Sequence, residues 1–299
     1  MKALLRPLQI LAALLVTAAV SQTALAASYR LPENGDSVVG AVTRMKLTYD
    51  DTLAGVAERY SIGYREIVDA NPDVDPWLPG EGTMIELPTQ YVLPSAPRDG
   101  LVINVAEYRL YFYPKDSNRV ITFPVGVGRS DFRTPVIETK TVTRIENPSW
   151  TPTPAARKEH AEMGDILPPV VPPGPENPLG DLAIQLQEPG YFIHGTNKPF
   201  GVGQKVSHGC IRLHNPHILT LAEIVPNGTP VYIVNEPIKI GVRYEELYLE
   251  SHKDLYDDSI DAEVLAKVVE EKVQALETEP DWQKVAEVLT DLKGIPERI

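Results

Sequence analysis

Cys210 is the only cysteine in the chain, and the segment around it is dense with groups that could activate a thiol. A thiol attacks only as thiolate, and a free cysteine with a pKa of about 8.5 holds little of that form at neutral pH. Histidine titrates close to working pH and can take the proton. Two histidines qualify by position: His194, sixteen residues upstream, and His208, two residues upstream. His194 closes the apolar stretch Tyr191-Phe192-Ile193 before a Gly-rich loop, and a rigid strand end suits a base. His208 shares a face with Cys210 in an extended strand but diverges from it in a tight turn. Gly209 relieves crowding beside the thiol. It also leaves the amides near Gly209 and Cys210 available to an oxyanion.

Other uses of these residues compete with that chemistry. A lone thiol cannot form an intramolecular disulfide, so in an exported protein it is either buried and inert or chemically used. His194, His208 and Cys210 could also form a three-ligand zinc site. Against metal, there is no second cysteine and no close His-x-x-His or Cys-x-x-Cys spacing, so no metal or other cofactor is expected. His160, His214, His217 and His252 read as hydrogen-bonded structural residues.

The elements that must position Cys210 read as mostly β. Leu101 to Val105, Arg109 to Tyr113, Arg119 to Val125, Ala183 to Leu186, Tyr191 to His194 and Val231 to Val234 carry strand patterning. One helix, Pro216 to Val225, is expected in this region, stopped by Pro226-Asn227-Gly228. Residues 148–178 hold nine prolines and no regular pattern. A structureless loop of that length reads as a lid or a solvated linker, and Trp150, Met163, Ile166, Leu167 and Val170-Val171 favour a lid that packs down. Upstream, Val56 to Tyr60 and Arg65 to Ala70 read as two short helices broken at Ser61-Ile62-Gly63. Met84 to Leu87 reads as a closing strand. The segment 236–299 carries 17 acidic against 8 basic residues, with a final strand expected over Val242 to Leu249 and helices over Ala262 to Glu277 and Asp281 to Lys293.

The first 26 residues have the layout of a secretory signal: Lys2 and Arg6, an apolar run from Leu8 to Val20, then Ala24-Leu25-Ala26. That run is too short for a membrane span, and no cysteine follows it to carry a lipid. A cleaved, exported chain without a stable membrane anchor is therefore expected, with an uncleaved anchored N-terminus as the alternative. Removing Lys2 and Arg6 takes the formal charge from −13 to −15, which argues against nucleic acid as a partner. At 43% hydrophobic and 23% charged residues the composition is that of a globular protein.

Ser207-His208-Gly209-Cys210-Ile211-Arg212-Leu213, with His194-Gly195-Thr196 upstream, resembles the L,D-transpeptidases of the bacterial cell wall. The likeness continues in Gly100 to Asn104 with Arg109 to Tyr111, in Asn147 to Pro152, and in Pro172 to Gly180. It implies a β-rich catalytic domain over 98–235, with 148–180 as the loop beside its cleft. In that family pattern Cys210 is the nucleophile and His194 the proton acceptor. Ser207, His208 and Gly209 shape the site, and Arg212 and Trp150 meet substrate. The implied reaction is transfer of a peptidoglycan stem-peptide acyl group to an amine in the periplasm.

Residues 45–89 separately resemble a LysM module. The residues that carry the likeness are Asp51-Thr52-Leu53, Ala57, Tyr60, Asn71-Pro72, Leu78-Pro79-Gly80 and Ile85 to Pro88. This implies a small βααβ domain that binds the glycan; the alternative is a small domain without sugar affinity. The order of signal, LysM-like module, catalytic domain and acidic extension resembles Gram-negative members that attach an outer-membrane lipoprotein to peptidoglycan. A cysteine hydrolase acting on the same stems, and an inactive wall-binding protein, are the readings that compete.

Overall fold

The computed structural model describes residues 26–33, 35–256, 262–274, 276 and 279–299. The expected secretory signal lies outside them, apart from Ala26. No helix among the described residues is long and apolar enough to cross a membrane. The fold is mainly β.

The chain opens with strand β1 (Ala27–Arg30) and β2 (Val38–Gly40), followed by a small βααβ unit: β3 (Thr43–Lys46), α1 (Leu53–Arg59), α2 (Tyr64–Ala70) and β4 (Met84–Leu87). β3 and β4 pair antiparallel, with Met45 opposite Ile85. The Thr52 side chain caps α1 by accepting from the Gly55 amide. Asn71 ends α2 and ties it to β4, donating to the Ile67 and Glu86 carbonyls and accepting from the Glu86 amide. Leu53, Val56, Ile62, Ile67 and Ile85 form the unit's own core.

β5 (Gln90–Val92) leads into the strands that build the main sheet: β6 (Gly100–Asn104), β7 (Arg109–Tyr113) and β8 (Arg119–Pro124). The short β9 (Val127–Gly128) and the long β10 (Ile137–Glu146) follow. A helix α3 (Pro154–Glu162) then precedes β11 (Leu182–Leu186), β12 (Phe192–His194), β13 (Lys205–Ser207), β14 (Ile211–Arg212), α4 (Asn215–Ile224) and β15 (Pro230–Val234). Nine strands form one sheet in the order β1-β8-β7-β6-β15-β10-β11-β12-β14. Its inward side chains, among them Leu101, Ile103, Phe123, Ile184, Ile193 and Ile233, bury against Ile218 and Leu221 of α4.

Three expectations are corrected. The Pro-rich stretch is not structureless and α4 is not the domain's lone helix, because α3 lies inside the stretch. Thr153 caps it through the Ala156 amide, Pro154 supplies a preset first turn, and Gly164 at φ 81° follows its end. In place of one final strand at Val242 to Leu249 there is a hairpin, β16 (Ile238–Arg243) and β17 (Glu246–Ser251). Its turn residues Tyr244 and Glu245 both have positive φ, which matches the right-handed twist of the two strands. α5 (Ala262–Gln274) has its expected end, Glu277, outside the described residues; α6 (Trp282–Asp291) is shorter than expected, and a last short strand β18 (Glu297–Arg298) pairs with β17.

The βααβ unit is fastened to the main sheet by buried charge. Arg109 of β7, fully buried, donates from Nε and Nη2 to the two Glu66 oxygens of α2 at 2.6 and 2.7 Å. It also reaches Thr122 Oγ1 and the Ser61 carbonyl. A two-pronged pair of this kind fixes orientation as well as distance. A second buried group holds the C-terminal hairpin: Lys239 Nζ lies 2.6 Å from Glu107 and 2.9 Å from Glu250, and Glu250 also accepts from the Val92 amide.

Candidate active site

β12 and β14 run parallel as the last two strands of the main sheet, with Ile193 opposite Ile211 and His194 opposite Arg212. On its other side β14 exchanges two hydrogen bonds with Gly126, of 2.8 and 2.9 Å between Arg212 and Gly126. Cys210 is the residue immediately before this clamped strand. It lies two positions before Arg212, so the strand alternation puts it on the side shared by Arg212 and His194. Arg212 acts electrostatically on both groups, lowering the pKa of each.

His194 is buried, and its Nδ1 lies 2.6 Å from the Gly195 carbonyl. A carbonyl can only accept, so Nδ1 carries the proton and Nε2 is left with its lone pair. Burial, with Arg212 adding to it, pushes the imidazole pKa down to about 3. The ring is therefore neutral across the whole range in which a general base is useful. Burial pushes the Cys210 thiol up, against the Phe192 amide and Arg212, which pull it down. The sulfur sits 3.6 Å from the Gly190 carbonyl. The resting pair is a neutral thiol and a neutral imidazole, so any attack by this sulfur would need proton transfer to accompany it.

The turn before the thiol is set by Ser207 and Gly209. Ser207 Oγ donates to the Cys210 carbonyl at 2.6 Å and accepts from the Gly209 amide at 3.1 Å. The Gly209 amide is thus occupied by Ser207 and not open to an oxyanion, which corrects the sequence expectation. The Cys210 amide has no acceptor among the described residues and keeps that capacity. Gly209 has φ 105°, and a Cβ there would lie 3.1 Å from the Tyr191 ring, so both backbone and space demand glycine.

His208 points to a different partner. Its Nε2 lies 2.9 Å from Glu159 of α3, and Arg129 Nη1 lies 2.6 Å from the same carboxylate. The imidazole also packs on Phe132, with ring centroids 4.5 Å apart. His208 therefore joins the Pro-rich segment to the floor of the site and does not form part of a ligand set with Cys210 and His194. The segment's base is closed by two backbone hydrogen bonds between Trp150 and Val171, of 2.9 and 2.8 Å, and by the buried Asn177 side chain, which donates to the Pro148, Val171 and Pro172 carbonyls.

Arg212 is half-buried beside Cys210 and His194. Its Nε is buried without a partner, and burial lowers its pKa. An incoming carboxylate or carbonyl would satisfy that donor. Arg129, Glu159 and Asn215 were not singled out in the sequence. Asn215 Oδ1 accepts from the Thr196 amide at 3.0 Å and so braces the turn after His194; its place just before Pro216 at a helix start was the available signal. Three of the remaining histidines have structural partners, His160 with Asp165, His217 with Ser61 and His252 with Glu250, whereas the buried Nδ1 of His214 has none among the described residues, against the sequence expectation. Glu107, Glu250 and His252 converge to metal-ligand spacing, but the Lys239 ammonium already sits between the two carboxylates.

The profile of the YkuD family, an L,D-transpeptidase catalytic domain, matches residues 98–233. The chain is 44% identical over 239 residues to the probable L,D-transpeptidase ErfK/SrfK of Escherichia coli K12, covering 79% of this chain and 77% of that protein. It is 38% identical over 286 residues to the probable L,D-transpeptidase YbiS of the same organism, covering 93% of both. The chain belongs to the L,D-transpeptidase family. It is accordingly an enzyme of peptidoglycan modification, and the clamped β12–β14 sheet end lies within the matched domain.

Proposed function

We propose that this L,D-transpeptidase works in the periplasm through a Cys210 thioester. The observation that carries the reading is the placement of Cys210 and His194 at neighbouring strand ends, with Nδ1 of His194 committed to Gly195 and Arg212 acting on both. The sulfur attacks the carbonyl of the third stem residue, diaminopimelate, as His194 Nε2 takes the thiol proton. The C–N bond to the terminal D-alanine breaks, and that proton passes to the leaving amine. An acceptor amine then attacks the thioester carbon, gives a proton to His194, and releases Cys210. The Cys210 amide supports the oxyanion, Arg212 and Trp150 hold the stem, and Ser207, His208 and Gly209 keep the turn and the overlying segment in place.

The N-terminal βααβ unit is a LysM-like module that holds the glycan. The acceptor is a second stem peptide, giving a cross-link, or the C-terminal lysine of an outer-membrane lipoprotein. The export signal expected over 1–26 supports a periplasmic location. Incubating the purified protein with disaccharide-tetrapeptide, with and without a lysine-terminated peptide, and following products by mass spectrometry tests all of this. Free D-alanine with a dimer or a peptide adduct is the expected result. Tripeptide alone would make the enzyme a hydrolase, and no D-alanine at all would make it a binding protein.

A further inference from the structure

Three aromatic rings meet where the βααβ unit touches the catalytic domain. Tyr64 and Trp77 come from the unit and Phe200 from the loop between β12 and β13. Their centroids lie 4.8 Å (Tyr64–Phe200), 5.2 Å (Trp77–Phe200) and 6.2 Å (Tyr64–Trp77) apart. Rings that served only to glue two domains would be covered, yet Trp77 is 53% exposed and Phe200 47% exposed. The backbones are close here: a Cβ on Gly203 would collide with Tyr64 and Gly63, and the Arg65 amide donates to the Gly203 carbonyl at 3.2 Å. The platform is therefore fixed in shape.

Tyr64 and Phe200 also form one side of a groove of about 170 Å³, whose other walls are Ala54, Glu58, Ile62 and His214. That volume falls below the roughly 300–1,000 Å³ of drug-sized pockets and suits a single ring. His214 is 9% exposed, and its buried Nδ1 has no hydrogen-bond partner among the described residues. A buried ring nitrogen without a partner carries a free-energy cost that a ligand hydroxyl or amide reaching it would remove. Glu58, exposed on α1, lies close enough to His214 to act on it electrostatically. An aromatic wall facing a carboxylate and an unsatisfied imidazole is amphiphilic in the manner of a pyranose, which has an apolar C–H face and a polar rim.

We propose that this groove is a saccharide subsite shared by the two domains, in which Tyr64 and Phe200 stack one hexosamine ring of the glycan while Glu58 and His214 bind its polar rim. The proposal rests on the reading of the protein as an enzyme of peptidoglycan stems. In that substrate, sugar and peptide are one molecule, so a sugar held at the junction fixes where the attached stem can reach. The subsite thus couples glycan position to delivery of the stem.

The test uses the full chain without its expected signal and two readouts. The first is calorimetric affinity for a β-1,4-linked tetramer of N-acetylglucosamine. Phe200→Ala, on the catalytic side, should weaken it about five- to tenfold, the scale of one lost aromatic contact. Glu58→Gln, on an exposed helix face, should weaken it by a smaller factor and keeps the test open if the first variant folds poorly. The second readout is the KM for disaccharide-tetrapeptide relative to that for the bare tetrapeptide. The intact protein should favour the sugar-bearing substrate, and Phe200→Ala should narrow that preference by the same factor. Unchanged tetramer affinity in both folded variants would overturn the subsite and leave the rings as domain packing. Weakened affinity with no turnover of either peptide would support the subsite while refuting the assigned reaction.

Discussion

The floor of the candidate site and the segment that overlies it are held by different physics. The floor is backbone: β14 is hydrogen-bonded on both sides, and His194 and Cys210 are positioned by a ladder that side-chain changes alter little. The overlying segment 148–180 is tied at its base by Asn177 and the Trp150–Val171 bonds, while α3 reaches the floor through Glu159 to Arg129 and His208. All three of these side chains are about one-third exposed, a setting in which ion pairs are worth 0.2–1 kcal/mol or less. The proposed chemistry is thus built on the sheet, and the segment proposed as a lid is fastened to it weakly at α3.

The largest expected effects break the floor. Cys210→Ala should lower turnover by about 10³-fold or more without a change in thermal midpoint, and His194→Gln by about 10²–10⁴-fold. Retained turnover in Cys210→Ala would dismiss the thioester. Next in size is the brace behind the floor. Arg109→Met leaves the Glu66 carboxylate buried and unpaired, and chemical denaturation should show a loss of about 3–5 kcal/mol. A loss below 1 kcal/mol would show that the βααβ unit is not held by this pair.

A third expectation uses acid. The His194 imidazole takes up a proton at about pH 6.5 when unfolded but only near pH 3 when folded, so the unfolded state binds more protons between those values. Stability should fall as pH drops from 6.5 towards 3, by about 2 kcal/mol at pH 5 from this group. His194→Gln should flatten that slope, and an unchanged slope would contradict a neutral buried imidazole. The smallest effect sharpens the contrast with the overlying segment. Glu159→Gln should change stability by less than about 1 kcal/mol and raise KM a few-fold with kcat near wild type. A collapse of kcat in that variant would mean that α3 belongs to the catalytic machinery.

Much of the site was legible because its signals are local. A single thiol, a glycine beside it and a histidine closing an apolar strand point to the proposed chemistry without knowledge of the sheet. Six strands of the main sheet were legible to within a residue, since their apolar runs are continuous. β10 was not, although it is the longest strand. Glu138, Lys140 and Arg144 break its pattern, because it is half exposed and changes partner from β15 to β11 along its length. α3 was hidden by the prolines around it, although Thr153-Pro154 is a recognisable helix start. The hairpin at Tyr244-Glu245 lacks the Asn or Gly that announces such turns. Pairings such as Glu159 with His208, or Glu66 with Arg109, join residues more than forty positions apart and leave no trace in a linear reading.

The protonated resting state of Cys210 has a consequence for how the enzyme ages. Peroxide and disulfide-forming catalysts attack thiolates far faster than thiols, and a protein in the proposed periplasmic location meets both. A sulfur kept neutral by burial, and in the proposed mechanism ionised only as substrate arrives, presents those oxidants with little of the reactive form. The burial that keeps the Cys210 thiol protonated at rest also makes it durable. The chain has no second cysteine with which to repair an oxidised sulfur, so that durability guards a residue for which it holds no spare.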